Sequence, residues 1–192
     1  MQKFNGFLYH ITRYKKLELG EKLYFGQIPN RFAKKMFSTD FAVGNYDINQ
    51  LFMKKTVQDF SAVEAKSTKN YIYESCQMLR ELVLEQIRLK EFPKHPSRLE
   101  CLYCCKTYQE AKSWINALKR MQPNQPPLQI VKLKAKGKIF EGDGSLMLRN
   151  TYSLNSKIDM ARQYWNGSNN PIMSEILFVG TAQVVEISEL EN

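Results

Sequence analysis

The chain has 192 residues, with 28 Lys and Arg against 19 Asp and Glu, for a formal charge of +9. Its 43% apolar content is too high for a disordered tail, and a chain this long suits one domain burying roughly 70% of its unfolded surface. No window approaches about 18 consecutive apolar residues, so no transmembrane helix is expected, and the basic excess fits either a polyanionic partner or a solubilising surface.

The first element in chain order is a strand over Phe7–Thr12. The N-terminus has one basic residue, a short apolar run, and Lys15, Lys16 and Glu18 soon after, without a small-residue cleavage site. That pattern is not a signal peptide, so a cytoplasmic location with reduced thiols is expected. Residues 66–92 form a long helix by spacing, since Ile72, Cys76, Leu79, Val83 and Ile87 line one face and Pro93 stops it. His95 follows in Pro93-Lys94-His95-Pro96, an exposed loop by composition.

A mixed strand over Leu99–Lys106 carries Cys101, Cys104 and Cys105, and Cys76 lies on the preceding helix. Cys101 and Cys104 have C-x-x-C spacing, but a zinc site takes four ligands, and there is neither a second such pair nor H-x-x-x-H. Small buried thiols, with no metal, are the expectation. Thr107 and Glu110 make a capping box opening a helix over 107–121, with Ala111, Trp114, Ile115 and Leu118 on its buried stripe.

Pro123, Pro126 and Pro127 mark a loop between elements. Next, Val131, Leu133 and Ala135 alternate with Lys132, Lys134 and Lys136, the period of a half-exposed strand. Gly142-Asp143-Gly144-Ser145 is a turn, because it lacks the frame and lysine of a phosphate loop. A third helix over 153–165 has Leu154, Ile158, Ala161 and Trp165 in register and ends at Asn166-Gly167. Glu175–Ile187 is the clearest strand region, with Gly180 as a bulge or break. The irregular mixture of strands and helices, ending in strands, predicts an α+β fold, and no linker divides residues 1–192.

Candidate chemistry is sparse. There is no G-x-S-x-G elbow and no H-E-x-x-H, and only His10 and His95 could serve a triad. His10 ends an apolar strand, where the sheet would position it. Glu175 stands at the mouth of an apolar strand, and a carboxylate held there must be either paired or useful. Tyr164 and Trp165, taken alone, belong to the core.

Three segments together resemble the ADP-ribosyltransferase-like superfamily, closest to a bacterial branch of it: Leu8-Tyr9-His10-Ile11-Thr12, then Ser97–Cys105 leading into the Thr107 helix, then Ala161–Gly167 followed by Glu175-Ile176-Leu177. The resemblance implies a split, bent sheet with NAD in a cleft. It implies that Tyr9, His10 and Thr12 contact NAD, with His10 bonded to a ribose hydroxyl. Tyr103, preferred to Tyr108, would stack on nicotinamide, and Glu175 would take a hydrogen bond from the nicotinamide ribose. The implied activity is an ADP-ribosyltransferase or NAD glycohydrolase, with a protein or nucleic-acid acceptor among the candidates. Met173 stands where arginine-directed relatives carry an acidic or amide residue, and Ile11 where many carry glycine. Arginine modification is therefore not implied.

A second reading is an inactive basic module for nucleic acid. Lys132, Lys134, Lys136 and Lys138 would share a strand face, and Arg13, Lys15 and Lys16 cluster after the first strand. A half-buried strand requires such alternation anyway, so a solvated face or edge protection is the simpler account.

Overall fold

The computed structural model describes residues 1–38, 53–121, 126–148, 153–168 and 170–190. Its elements are β1 (Gln2–Thr12), β2 (Lys22–Phe25), α1 (Arg31–Ser38), α2 (Ala62–Glu91), β3 (Leu102–Cys104), α3 (Tyr108–Met121), β4 (Gln129–Asp143), α4 (Leu154–Trp165) and β5 (Ser174–Glu189), with 3-10 turns at Val57–Asp59 and Gly144–Leu148. This is an α+β arrangement around one antiparallel sheet. β2 and α1 are short elements that periodicity does not announce. Within the proline loop, residues 122–125, Pro123 among them, lie outside the described residues, and Pro126 and Pro127 lead irregularly into β4.

The strand order is β1-β4-β5-β2, with β3 beside the start of β5. β1 pairs with β4 from Gln2 opposite Ile139 to Thr12 opposite Gln129, so the strand begins well before the apolar run. β3 places Tyr103 opposite Leu177. Just beyond β3, Cys105 exchanges two backbone hydrogen bonds with Tyr9 of β1, at 2.9 and 2.7 Å. One short segment thus touches both β5 and β1, which requires the sheet to curl. The curl encloses a core made chiefly by the strands, including Leu8, Leu102, Val131, Leu133, Ile176, Phe178 and Val184. Val131, Leu133 and Ala135 are buried while Lys134 and Lys136 are exposed, as the alternation predicts.

The register irregularity in this sheet falls at Lys132/Leu133, opposite Glu186 and Val184, so the extra residue is Val185 and not Gly180. Gly180 has φ +143 and faces Gly137. A Cβ on Gly137 would stand 2.1 Å from the Val179 carbonyl oxygen, and one on Gly180 would stand 2.5 Å from that of Lys136. Glycine at both positions lets β4 and β5 approach where the sheet bends.

α2 begins at Ala62, because Ser61 and Glu64 form a reciprocal capping box. Its buried face corrects the expected stripe. Val83 and Ile87 are buried, but Ile72 and Leu79 are about half exposed and Cys76 is exposed. Gln77, Glu81, Leu84 and Arg88 are buried instead. Polar groups occupy this face because partners from other elements satisfy most of them. The Thr107–Glu110 box opens α3 as expected, with Thr107 N to Glu110 Oε2 at 2.8 Å and Glu110 N to Thr107 Oγ1 at 3.2 Å. α4 starts on Ser153 and buries Tyr164 and Trp165 completely, although its first residue, Leu154, is exposed.

His95 is not an exposed loop residue. Its ring packs against Phe92, Phe140 and Trp165, with centroids 5.7, 4.5 and 6.0 Å away. No described helix is long and apolar enough to cross a membrane.

Candidate functional site

A cavity of about 240 Å³ opens where β1, β3 and the start of β5 meet α2 and α3. His10, Tyr9, Tyr103 and Glu175 all line it. Thr12 does not: it is buried, with its hydroxyl 3.4 Å from Gln129 Oε1. Tyr108 also lies outside the lining, and its ring meets Tyr9 edge-on at 6.0 Å.

β5 delivers Glu175 to the cavity wall. The preceding residue is fixed by Trp114 of α3, whose indole N–H donates to the Ser174 carbonyl at 2.8 Å. Glu175 is only 8% exposed. Its Oε2 accepts from the Tyr164 hydroxyl at 2.6 Å and from Arg98 Nη1. Oε1 has no hydrogen-bond partner among the described residues. The carboxylate is therefore held by one oxygen while the other stays available to the cavity.

Arg98 lies between two carboxylates. Its Nε donates to Glu81 Oε2 at 2.8 Å, and its Nη1 donates to Glu175 and, at 2.6 Å, to the Tyr164 hydroxyl. Arg80 donates to Glu81 as well, and its Nη1 bonds the Met147 carbonyl at 2.8 Å. The result is a chain of alternating charge, Arg80–Glu81–Arg98–Glu175. Buried charges of this kind persist because each is paired and hydrogen-bonded. Burial opposes the Arg98 charge, but Glu175 and Glu81 together hold its pKa well above the ordinary arginine value. Burial likewise opposes the Glu81 charge, and Arg98 and Arg80 hold its pKa below the usual carboxylate range.

His10 is oriented by the carbonyl oxygen of Tyr103, 2.8 Å from Nδ1. A carbonyl only accepts, so Nδ1 carries the proton and Nε2 keeps its lone pair. Burial lowers the His10 pKa, only partly offset by that bond, which favours the neutral ring. The Tyr103 hydroxyl donates to the Arg98 carbonyl at 2.7 Å, and the Arg98 guanidinium sits 5.0 Å from its ring centroid. Burial pushes the pKa of Tyr103 and Tyr164 well above the usual tyrosine value. Cys104 and Cys105 also line the cavity, but burial raises their pKa values, which keeps them thiols rather than nucleophilic thiolates. No group of three or more His, Cys, Asp or Glu able to hold a metal ion occurs among the described residues.

Among the described residues, Gln77 is the cavity residue with a fully buried side-chain donor left unpaired. It is 6% exposed, and its Nε2 is buried without a partner among the described residues. A buried orphan donor is costly unless something enters to accept from it.

Sequence reasoning missed Arg98, Glu81 and Gln77. Arg98 lies inside the Ser97–Cys105 segment, which marks its position but not its role. Glu81 and Gln77 sit four residues apart on a long helix, a spacing that signals a shared face but not burial. Tyr164 lies in the core, as its sequence context predicts, and it also bonds Glu175.

No curated protein matches the chain. Residues 8–190 match the family described as "Protein of unknown function (DUF2441)". That span includes every residue of the cavity. The chain belongs to this family.

Proposed function

We propose that the cavity binds NAD and that the protein cleaves the nicotinamide–ribose bond, as an ADP-ribosyltransferase or an NAD glycohydrolase. The observation that carries this reading is Glu175: a buried carboxylate anchored through Oε2, with Oε1 unengaged among the described residues, on the wall of a cavity that His10 and Tyr103 also line. These three residues lie in the segments that resemble ADP-ribosyltransferase-like proteins.

Each group suits the chemistry. As the glycosidic bond breaks, its electron pair leaves with nicotinamide, and positive charge develops on the ribose carbon and ring oxygen. A carboxylate already oriented by Arg98 and Tyr164 stabilises that charge without reorganising, so it favours the transition state over the ground state. The lone pair on His10 Nε2 can accept from a ribose hydroxyl. The Tyr103 ring has Arg98 near it and can present its other side to a flat cationic ring. The acceptor, water or a nucleophile, then bonds the ribose carbon and loses a proton.

The test is nicotinamide release from NAD by the full chain, followed chromatographically, together with the thermal shift on adding NAD. Glu175→Gln should cut release by about 100-fold or more while binding persists. If NAD is neither cleaved nor stabilising, the reading is wrong.

A further inference from the structure

The sheet register gathers a basic surface away from the cavity. Lys134, Lys136 and Lys138 of β4 share a face with Lys3 of β1, which is opposite Lys138, and with Lys22 of β2, which reaches Lys134 through Gln183. All five side chains are exposed. None of them has an ion-pair partner among the described residues, whereas Lys132 in the same row pairs with Glu186 at 3.3 Å. β4 has a neighbour on both sides, so edge protection does not account for its lysines. Lys3 directly opposite Lys138 is an unfavourable cross-strand pair. The fold tolerates this charge without using it internally.

Two aromatic side chains stand on the same face. Phe7 is opposite Lys134 and 52% exposed; Tyr24 is opposite Thr181, itself paired with Lys136, and 68% exposed. Tyr24 borders a depression of about 350 Å³ with Asn5, Lys22, Lys134, Lys136 and Gln183, and Phe7 stands beside its rim, opposite Lys134. Uncharged hydrogen-bonding groups thus line a hollow ringed by cations and flanked by rings.

From this juxtaposition we infer that the open sheet face binds single-stranded nucleic acid. The lysines neutralise phosphates, and Tyr24 and Phe7 stack on bases. Unpaired strands expose base faces to such rings, whereas a duplex hides them. Among the described residues of this face, the two rings are set apart by lysines and form no continuous apolar patch for insertion into a bilayer. The site is independent of NAD binding in the cavity.

The experiment is fluorescence anisotropy of a labelled mixed-sequence single-stranded oligonucleotide with the full chain, titrated with salt. With five lysines engaged, log K should fall with log salt at a slope of about −3.5. The triple variant Lys134→Gln/Lys136→Gln/Lys138→Gln should reduce the steepness of that slope by about 2. Tyr24→Ala should weaken binding by about tenfold at every salt concentration and leave the slope unchanged. The charge-matched control Lys66→Gln/Lys69→Gln/Lys90→Gln on α2 should behave as wild type. The inference is overturned if the control loses as much affinity as the triple variant, if a blunt duplex binds as tightly as the single strand, or if phosphatidylserine vesicles are bound and the oligonucleotide is not.

Discussion

Gln77 and Glu81 stand one turn apart on the buried face of α2, yet only Glu81 is satisfied. Glu81 receives Arg98 at 2.8 Å and Arg80 at 3.2 Å, while the Gln77 amide nitrogen has no partner among the described residues. An orphan of this kind costs about 1–3 kcal/mol. Gln77→Met, close in volume and apolar, should therefore stabilise the ligand-free protein by about 1 kcal/mol in urea titration. If the cavity takes NAD, the same variant should lose part of the thermal shift that NAD gives. A destabilised ligand-free variant would mean that the amide is already satisfied.

Arg98 should be the reverse case. Arg98→Met leaves Glu81 buried with Arg80 alone and releases Glu175. Removing one partner of a buried ion pair costs about 3–5 kcal/mol. Urea denaturation should show a loss in that range, far above the effect of Arg162→Met, which breaks only surface pairs, with Glu91 at 2.9 Å and Asp159 at 3.7 Å.

Acid should weaken the fold through its histidines. Burial is the chief cause that holds both His10 and His95 below the ordinary value of 6.5. The unfolded chain takes up protons near that value, while the folded chain resists until lower pH. Stability is then complete above about pH 6.5 and declines as pH falls through that value. Melting temperatures between about pH 7 and 5 should drop more steeply for the wild type than for the His10→Asn/His95→Phe double variant. An equal slope in the two proteins would remove the histidines from the account.

The glycine pair at the sheet bend gives a sharper structural test. Gly180→Ala must place a Cβ 2.5 Å from a carbonyl oxygen at a φ of +143, and Gly137→Ala must place one 2.1 Å from another. Each should cost about 3 kcal/mol or more, the upper range for single substitutions. Gly6→Ala meets only the tip of the Phe4 ring at 3.2 Å and should cost far less. Chemical denaturation of the three variants checks the order.

How much of this was legible in the sequence depended on the kind of interaction. The Thr107–Glu110 box and the alternation at Val131–Lys136 were readable because they are local: a few adjacent residues carry both cause and effect. The polar face of α2 was not, because hydrophobic spacing selects Ile72 and Leu79, and burial of Gln77 and Glu81 depends on Arg98 and the cavity. His95 looked exposed between two prolines, and only the return of α4 and β4 packs rings on both sides of it. The cavity lining brings together residues from Tyr9 to Glu175, so resemblance could name its members but spacing could not show that they meet.

The curl of the sheet also governs when the protein can fold. During synthesis β1 emerges first, but its partner β4 follows more than a hundred residues later, and Glu175 later still on β5. Pairings of such long sequence separation close slowly. The nascent β1 must therefore wait with its edge unpaired, open to chaperones and to self-association, until β4 arrives. Because β5 supplies Glu175 to the cavity and Ile176, Phe178 and Val184 to the core, the cavity is completed in the same event as the core.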